Sequence, residues 1–341
     1  MKPATAPRGE PLDERLLLVD PCGERLDDAR VRDLEELLRP GDLVVVNDAA
    51  TLPASLPATS PAGRAVELRL VSMVEEDLWW GVLFGEGDWR TPTEHRLPPE
   101  PMAPGERLHF GAGEGATVVE ASPISPRLLS LRFDARGEEL WSLLYRRGRP
   151  IQYSYLDRGL ALWDVQSAFA SRPWAVEPPS AGRPLRWSLL LALQRRGIAF
   201  ATVTHAAGLS STGDPVLDAA LPLPERFDVP QATVDAVTFA RRHGRRVVAV
   251  GTTVVRALES AARPDGVLRA GSGTTDLKLG PGFRPRVVNG LLTGLHEPGT
   301  SHFQLLRAFA EADLLERAWQ HAEEHGYLAH EFGDSSLVLC S

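Results

Sequence analysis

A short, uninterrupted run of branched apolar residues at positions 43–46 (LVVV) constrains the fold of this chain more than any other feature. A Pro-Gly turn signal precedes the run, and Asn47 and Asp48 follow it. A strand without polar alternation is typical of a parallel or mixed sheet that is covered on both faces. At the carboxyl end of this strand, Asn47 and Asp48 are predicted to bind substrate, and a simple Asx turn is the other interpretation.

Apolar periodicity predicts further strands and helices on both sides of that strand. The predicted strands are residues 16–19, 198–203, 247–250 and 336–339. The predicted helices are residues 31–38, 187–196, 230–243, 252–262, 301–310 and 314–325. Alternating helices and strands indicate a mixed α/β main domain.

The pattern of apolar and polar residues changes between residues 53 and 148. Short alternating runs such as VELRL at 66–70 and LSLRF at 129–133 are separated by Gly- and Pro-rich connectors, which is typical of antiparallel strands. We therefore predict a multidomain α/β protein, with a main domain at 1–52 and 149–341 and a small antiparallel β-barrel inserted at 53–148. Trp79, Trp80 and Trp89 are interpreted as barrel packing, with a base-stacking platform as the alternative.

The charge balance bears on possible partners. Among 341 residues, 45 are acidic and 37 are Lys or Arg, so the formal net charge is −8. This balance argues against non-specific coating of nucleic acid, which needs a broad cationic surface. Two arginine clusters, at 146–149 and at 241–246, remain candidates for local RNA contact or for ordinary solvated faces.

The two cysteines and the apolar runs bear on the compartment. Cys22 and Cys340 lie near opposite ends of the chain, so we expect neither a disulfide framework nor a cysteine-based metal site. The first 20 residues lack the apolar core of a signal peptide, and the apolar runs are too short to span a membrane. A reducing cytoplasm and a monomer or weak homo-oligomer, with no membrane partner, are therefore expected.

The strongest local signal for chemistry is RVVAVGTTVVRALES at 246–260. Gly251 permits a tight turn from strand to helix, and Thr252 or Thr253 is predicted to cap a helix whose N-terminal amides attract an anion. Arg256 and Glu259 share a helix face with Thr252, at spacings of four and three. This face is predicted to bind substrate, and an ordinary intrahelical Arg/Glu pair is the alternative.

This segment closely resembles VIAVGTTSVRTLES of the S-adenosylmethionine:tRNA ribosyltransferase-isomerases, which are enzymes of queuosine biosynthesis. Other similar blocks follow in the same order and span nearly the whole chain. They are RLLLVD at 15–20, residues 33–56, the GRPI that begins at Gly148, SAG at 180–182, PGF at 281–283, His296 with Pro298, and Gly333-Asp334.

The resemblance implies a defined reaction. The ribosyl portion of S-adenosylmethionine moves to 7-aminomethyl-7-deazaguanine in a tRNA anticodon and rearranges to the epoxycyclopentane of epoxyqueuosine, with release of adenine and methionine. The sulfonium acidifies the adjacent 5′ carbon, so a base must take that proton. S-adenosylmethionine is therefore expected as a substrate and tRNA as a possible partner, with no metal.

Four residues near predicted strand ends or turns are candidate acid/base groups: His205, Glu225, His296 and Asp334. A structural hydrogen bond is the alternative for each histidine, and a turn cap is the alternative for Asp334. The predicted substrate-binding set is Asn47, Asp48, Gly182, Arg183, Gly251, Thr252, Thr253, Arg256 and Glu259.

The chain also departs from the family's pattern. Where the family reads PTAGLHFT, this chain reads PSAGRPLRW at 179–187, so that Arg183 and Pro184 replace a leucine and a histidine. Of a family Met-His-Ser-Glu segment, only Glu225 remains. These losses leave two alternatives open, namely a relative that uses S-adenosylmethionine with a small-molecule acceptor and a non-catalytic protein that binds nucleotides or RNA.

Overall fold

The computed structural model describes residues 1–111 and 113–340, and only the backbone of Ser301. In chain order its strands are β1 (Lys2–Pro3), β2 (Arg15–Asp20), β3 (Arg25–Arg30), β4 (Leu43–Asn47), β5 (Ala49–Thr51), β6 (Ser55–Thr59), β7 (Ala65–Met73), β8 (Leu78–Phe84), β9 (Arg107–Gly111), β10 (Glu114–Ala121), β11 (Leu128–Phe133), β12 (Arg172–Ala175), β13 (Ala199–His205), β14 (Glu225–Val229), β15 (Val247–Val250), β16 (Gly271–Thr275), β17 (Gly290–Gly294), β18 (Leu328–Ala329) and β19 (Ser335–Val338). Its helices are α1 (Leu34–Leu37), α2 (Gly137–Arg147), α3 (Trp187–Arg195), α4 (Pro215–Ala220), α5 (Gln231–Arg242), α6 (Thr252–Ala261), α7 (Ser301–Leu306) and α8 (Ala312–Glu324).

A nine-stranded mixed sheet forms the centre of the main domain, in the order β16-β14-β13-β4-β15-β17-β19-β2-β3. Strands β13, β4, β15 and β17 run parallel to one another, and antiparallel strands flank them on both sides. The predicted α/β fold is confirmed, and the apolar run at 43–46 lies on the central strand β4.

Alternate residues of β4 face two separate helix layers. Leu43 and Val45 belong to a core that includes residues of α5, α6 and α8. Val44 and Val46 belong to a second core, which includes residues of α1 and α3. All residues of β4 are buried, which is why the strand carries no polar alternation.

Most predicted elements are observed within a few residues of their predicted bounds. The exceptions are residues 31–38, where a 3-10 turn (Val31–Asp33) leads into the short helix α1, and residues 301–310, where α7 ends at Leu306. Pro40 follows α1 closely and disfavours helical backbone in the residue before it. Among residues 1–111 and 113–340, no helix is both long and apolar enough to cross a bilayer.

The middle of the chain forms a closed barrel of antiparallel strands, in the order β10-β11-β8-β7-β6-β9. A pairing between Thr59 and His109 closes it. The antiparallel barrel is therefore confirmed, and its strands lie between residues 55 and 133. We propose residues 53–148 as the extent of the inserted domain.

The three tryptophans assigned to barrel packing differ in burial. Trp79 is almost fully buried and packs edge-on against Trp141, with 6.4 Å between ring centroids. Trp80 and Trp89 are only partly buried. Barrel packing thus accounts fully for Trp79 and leaves part of Trp80 exposed.

The expectation for the cysteines is wrong in one respect. Cys22 and Cys340 form a disulfide across 318 positions of sequence. The reason is topological, because β2 and β19 are parallel neighbours and the two cysteines follow their carboxyl ends. A disulfide is at odds with the reducing compartment expected from the sequence.

A buried group of charges lies in the barrel wall. Glu67 accepts hydrogen bonds from Arg69 at 2.7 Å, from Ser55 Oγ at 2.7 Å and from Arg96. The ionic side chains of Glu67, Arg69 and Arg96 are all almost fully buried. Burial opposes ionisation of Glu67, but the charges of Arg69 and Arg96 outweigh it and lower the pKa of this carboxyl. The two guanidinium groups therefore share Glu67 as their ion-pair partner, and the charge of Glu177 also acts on Arg69.

The substitution Glu67→Gln is expected to destabilise the protein by about 3–5 kcal/mol, because it leaves two buried guanidinium groups without their ion-pair partner. Urea unfolding at pH 7 measures this difference. Arg64→Ala is the control, since it breaks an exposed pair with Glu100 and should cost no more than about 1 kcal/mol.

The same substitution predicts a pH dependence. The pKa of Glu67 is lowered on folding, so its stabilising effect is present above the usual carboxyl pKa and is lost as the pH falls through the lowered value. The difference between wild type and Glu67→Gln should therefore shrink in acid. Equal stability of the two proteins at pH 7 would contradict the prediction.

Candidate active site

Four parallel strands end at one edge of the nine-stranded sheet. Strand β4 ends at Asn47, β13 ends at His205, Gly251 follows β15, and β17 ends at Gly294. Ligands of α/β proteins bind outside the carboxyl ends of such strands. We call this region the strand-end crevice.

Asn47 ties the ends of two strands and a helix together. Its Oδ1 accepts hydrogen bonds from the backbone amides of Ala49 at 3.0 Å and His205 at 2.9 Å. Its Nδ2 donates to the carbonyl of His205 at 2.9 Å and to Thr253 Oγ1 at 3.3 Å. The Asx turn considered from the sequence is observed, and the side chain also fixes the backbone of His205.

Asp48 bonds to the same neighbourhood. Its carboxylate accepts hydrogen bonds from Thr204 Oγ1 at 2.6 Å and from Ser171 Oγ at 3.4 Å. Asp48 is therefore engaged by protein hydroxyls beside the crevice.

Gly251 makes the sharp turn from β15 into α6. Its φ of +90° lies in the region that favours glycine, and it is itself the N-cap residue. The predicted cap by Thr252 or Thr253 is wrong, because the helix begins at Thr252 and has no side-chain cap. A Cβ at Gly251 would lie 3.4 Å from Ala181 Cβ, so the turn at 180–182 approaches the helix start closely.

Gly182 lies in that neighbouring turn, and its lack of a side chain has a local reason. A Cβ at this position would come within 2.8 Å of the Phe169 ring. Gly182 thus allows the turn to pack against Phe169.

Arg256 forms a buried ion pair with Glu225, and the intrahelical partner considered from the sequence is not the one it uses. The Arg256 guanidinium donates to Glu225 Oε2 and, at 2.9 Å, to the carbonyl of Leu277. The amide of Gly208 donates to Glu225 Oε1 at 2.6 Å. Both ionic side chains are less than one-tenth exposed.

His205 lies beside this pair. Its Nε2 is 3.6 Å from Glu225 Oε2, and the side chain is fully buried. Among the described residues, neither ring nitrogen has a hydrogen-bond partner. Burial, and then the charge of Arg256, lower the pKa of His205 to about 3, so the ring is neutral.

Glu259, which was predicted to bind substrate, is committed to the protein backbone. Its carboxylate accepts hydrogen bonds from three consecutive amides, those of Arg286, Val287 and Val288, at 2.9–3.0 Å. The side chain is 1% exposed. Its contacts are those of a structural anchor for the segment that leads into β17.

Arg183 and Asp334 also make structural contacts. Arg183 donates to the buried carboxylate of Glu14 at 2.7 Å. Asp334 accepts hydrogen bonds from the amides of Arg15 at 3.0 Å and Leu328 at 2.7 Å, and it pairs with Arg8 at 2.7 Å. The turn cap considered for Asp334 describes these contacts better than an acid/base role.

His296 follows β17 and stacks on His302, with 5.0 Å between ring centroids. Its Nε2 is 3.0 Å from Thr293 Oγ1. Burial, with smaller contributions from His302 and His330, lowers the pKa of His296 to about 3. His296 is therefore neutral near pH 7, as His205 is.

Two partly buried carboxyl groups were not predicted from the sequence. Glu177 accepts hydrogen bonds from the Tyr153 hydroxyl and, at 3.1 Å, from the amide of Ser210. Glu331 accepts a hydrogen bond from the Tyr155 hydroxyl. Burial raises the pKa of Glu177, Glu225 and Glu331, and the charge of Glu177 adds to the effect on the other two. No local sequence pattern distinguishes these glutamates from exposed ones.

A cavity of about 420 Å³ lies between the barrel and the sheet, and we call it the barrel–sheet cavity. Trp80 lines it from the barrel, Trp174 lines it from strand β12 of the small two-stranded sheet β12-β5, and Leu209 lines it from the loop after β13. Glu225 and Arg226 also line it, so the cavity reaches the ion pair described above. Glu225 therefore belongs both to the ion pair and to the lining of the cavity.

Much of the charge in the two arginine clusters is used within the protein. Arg146 and Arg147 both pair with Glu114, and Arg246 pairs with Asp42 at 2.6 Å. These pairs fit the interpretation of the clusters as partly structural surfaces.

Two groups of side chains not expected from the sequence have the composition of metal ligands. They are Asp20 with Cys22 and Cys340, and Asp28 with His321 and His325, and within each group the candidate ligand atoms lie within 4.8 Å of one another. In the first group the cysteines are joined as a disulfide, and in the second Asp28 also pairs with Arg15 at 3.4 Å. Competing partners thus occupy both groups.

The chain is similar to known proteins along nearly its whole length. The family model described as queuosine biosynthesis protein matches residues 2–338. An S-adenosylmethionine:tRNA ribosyltransferase-isomerase of Gloeobacter violaceus is 36% identical, over 97% of this chain and 90% of the relative. One of Acidithiobacillus ferrooxidans is also 36% identical, over 98% of this chain and 94% of the relative.

A solved structure is also similar to this chain over nearly its whole length. The crystal structure of an S-adenosylmethionine tRNA ribosyltransferase from Thermotoga maritima covers 99% of this chain and 96% of its own, with 25% identity and a TM-score of 0.54. The resemblance read from the sequence is thereby confirmed. The chain belongs to the family of queuosine biosynthesis proteins.

Proposed function

We propose that this protein is an S-adenosylmethionine:tRNA ribosyltransferase-isomerase. In this reaction the ribosyl portion of S-adenosylmethionine is transferred to 7-aminomethyl-7-deazaguanine in tRNA and isomerised to epoxyqueuosine, with release of adenine and methionine. Support comes from the family, from the names of relatives that match over nearly their full length, and from a site with suitable chemistry.

The observation that carries the chemical part of the proposal is the buried group Arg256, Glu225 and His205 at the strand-end crevice. The ring nitrogens of His205 have no partner among the described residues, and an unmet buried polar atom costs about 1–3 kcal/mol. Such a cost is tolerated where a ligand supplies the missing hydrogen bond. We therefore propose that substrate binds next to His205 and Glu225.

Glu225 is the proposed proton acceptor. A general base works best when its pKa lies near the working pH, and the two histidines, with pKa values of about 3, are only weakly basic. Burial raises the pKa of Glu225 above that of an ordinary carboxyl. In the proposed step the Glu225 carboxylate takes the proton from the 5′ carbon, whose acidity the neighbouring sulfonium increases.

Arg256 is proposed to hold Glu225 in place and in its ionised form. Glu177 adds negative charge near Glu225, since its charge contributes to the raised pKa of that carboxyl. A cluster of carboxylates favours a cationic sulfonium over a neutral ligand. S-adenosylmethionine is thus proposed as a substrate, and no metal is assigned a role.

A different acceptor is the second candidate function. It is favoured by one observation, the replacement of a family histidine by Pro184 next to an arginine that is used in an ion pair with Glu14. The acceptor in that case would be a small molecule, with the same deprotonation of S-adenosylmethionine.

We also propose that the protein works in the cytoplasm, where its tRNA substrate is found, as a monomer or weak homo-oligomer. The Cys22–Cys340 bond is the feature that opposes this location. Because both cysteines follow strands already paired in the sheet, the fold does not rely on the bond to bring the two chain ends together.

Incubation of the purified protein with S-adenosylmethionine and with tRNA that carries 7-aminomethyl-7-deazaguanine is expected to release adenine and methionine and to increase the mass of the tRNA. Chromatography and mass spectrometry measure these products, with unmodified tRNA as the control. Release without any dependence on tRNA would support the small-molecule acceptor instead, and no release with any acceptor would leave the non-catalytic alternative.

The substitution Glu225→Gln is expected to lower the turnover of the folded protein by roughly 10²-fold or more, the usual contribution of a general base. It is also expected to lower stability, because the buried Arg256 loses its ion-pair partner. Glu311→Gln, at an exposed position, is the matched control. Because burial raises the pKa of Glu225, wild-type turnover should fall as the pH decreases through that value, and the variant should lack this limb. An unchanged acid limb in Glu225→Gln would assign the proton acceptor to another group.

A further inference from the structure

The barrel–sheet cavity has walls that suit a flat ring. Trp80 lines it from the barrel, and Trp174 lines it from β12. Both side chains are only partly buried. The Arg226 guanidinium lies 3.9 Å from the centroid of the Trp174 ring, which holds that ring in a stacked arrangement.

The polar groups of the cavity lie among mostly apolar lining residues. Glu225 and Arg226 line it together with the hydroxyl-bearing residues Ser72, Ser122 and Thr274. This combination offers hydrogen-bond acceptors and donors to the edge of a heterocycle and apolar surface to its faces. A free sugar would leave many hydroxyls against apolar walls, and an alkyl chain would not use the charged groups.

The volume and position of the cavity also fit a base that is attached to a reacting ribose. At about 420 Å³ the cavity lies within the usual range of small-ligand sites. It reaches Glu225, which is the proposed proton acceptor. A base held here would keep its attached sugar or aminomethyl group close to the carboxylate.

We propose that the barrel–sheet cavity binds a purine-type base, stacked on Trp80 and Trp174 and bonded at its edge by polar side chains of the lining. This inference rests on the proposed function, which offers two bases of this chemistry. One is the adenine of S-adenosylmethionine. The other is the 7-deazaguanine of the acceptor tRNA, which must turn out of the base stack of the anticodon loop to enter an enzyme site.

The test compares two substitutions that both fill the position of Trp80, namely Trp80→Phe, which keeps an aromatic face, and Trp80→Leu, which removes it. Trp163→Leu is the matched control, because Trp163 is 81% exposed and does not line the cavity. Calorimetric titration with S-adenosylmethionine, with free adenine and with free 7-aminomethyl-7-deazaguanine measures the affinity of each protein.

Trp80→Leu is expected to weaken binding of one base by roughly tenfold or more, as loss of an aromatic stacking partner does, while Trp80→Phe and Trp163→Leu stay within about threefold of wild type. Weaker binding of adenine and S-adenosylmethionine would identify the adenine of S-adenosylmethionine as the occupant. Weaker binding of the deazaguanine alone would identify the acceptor. Equal affinities in all four proteins, or no binding of either base by wild type, would overturn the proposal.

A second variant covers the case in which Trp80→Leu does not fold, as judged by its melting temperature. Ile124 lines the cavity and is 41% exposed, so its position tolerates a larger side chain. In Ile124→Trp the indole ring is expected to fill part of the cavity. It should block the same base, and undiminished binding would again overturn the proposal. Because these titrations need no turnover, base binding by a protein that releases no adenine would separate failure of the proposed function from failure of this inference.

Discussion

The central strands β4 and β15 are covered by apolar side chains on both faces, and this constraint decides where polar chemistry can occur. A sheet with no free face can present reactive groups only at its strand ends or on the loops that follow them. Backbone groups at those ends still need hydrogen bonds. Asn47 meets that need by bonding both backbone polar groups of His205, so the same residue that ends β4 fixes the position of a candidate site residue.

The same burial sets the electrostatics of the strand-end crevice. Removing water raises the pKa of carboxyl groups and lowers the pKa of histidines, because the charged form loses solvation in both cases. Glu225 and His205 lie 3.6 Å apart, and their pKa values shift in these opposite directions. A crevice of this kind makes glutamate the stronger base, which reverses the usual preference for histidine near neutral pH.

The sequence was sufficient for β4, β15, α6 and the barrel, because their apolar periods are local properties of the chain. It was not sufficient for the partner of Arg256. Helical spacing favours Glu259, three positions later, yet Glu259 bonds to the amides of residues 286–288 and Arg256 reaches Glu225, 31 positions earlier. The disulfide between Cys22 and Cys340 was not predicted for a related reason, since only the order of strands in the sheet brings the two residues together. Contacts between distant residues leave no periodic pattern to read.

Arg183 and Pro184 bear on what has diverged in this member of the family. A buried guanidinium must be paired, and Arg183 meets this need with Glu14 at 2.7 Å and with the carbonyl of Glu331 at 3.2 Å. Arg183 is therefore part of the buried packing. Neither Arg183 nor Pro184 supplies an acid/base group in place of the histidine of the family's pattern. Glu225 and Arg256, by contrast, lie at positions that this chain shares with the family's pattern. If deprotonation of S-adenosylmethionine depends on the shared residues, the altered loop is the part of the site free to recognise a different acceptor.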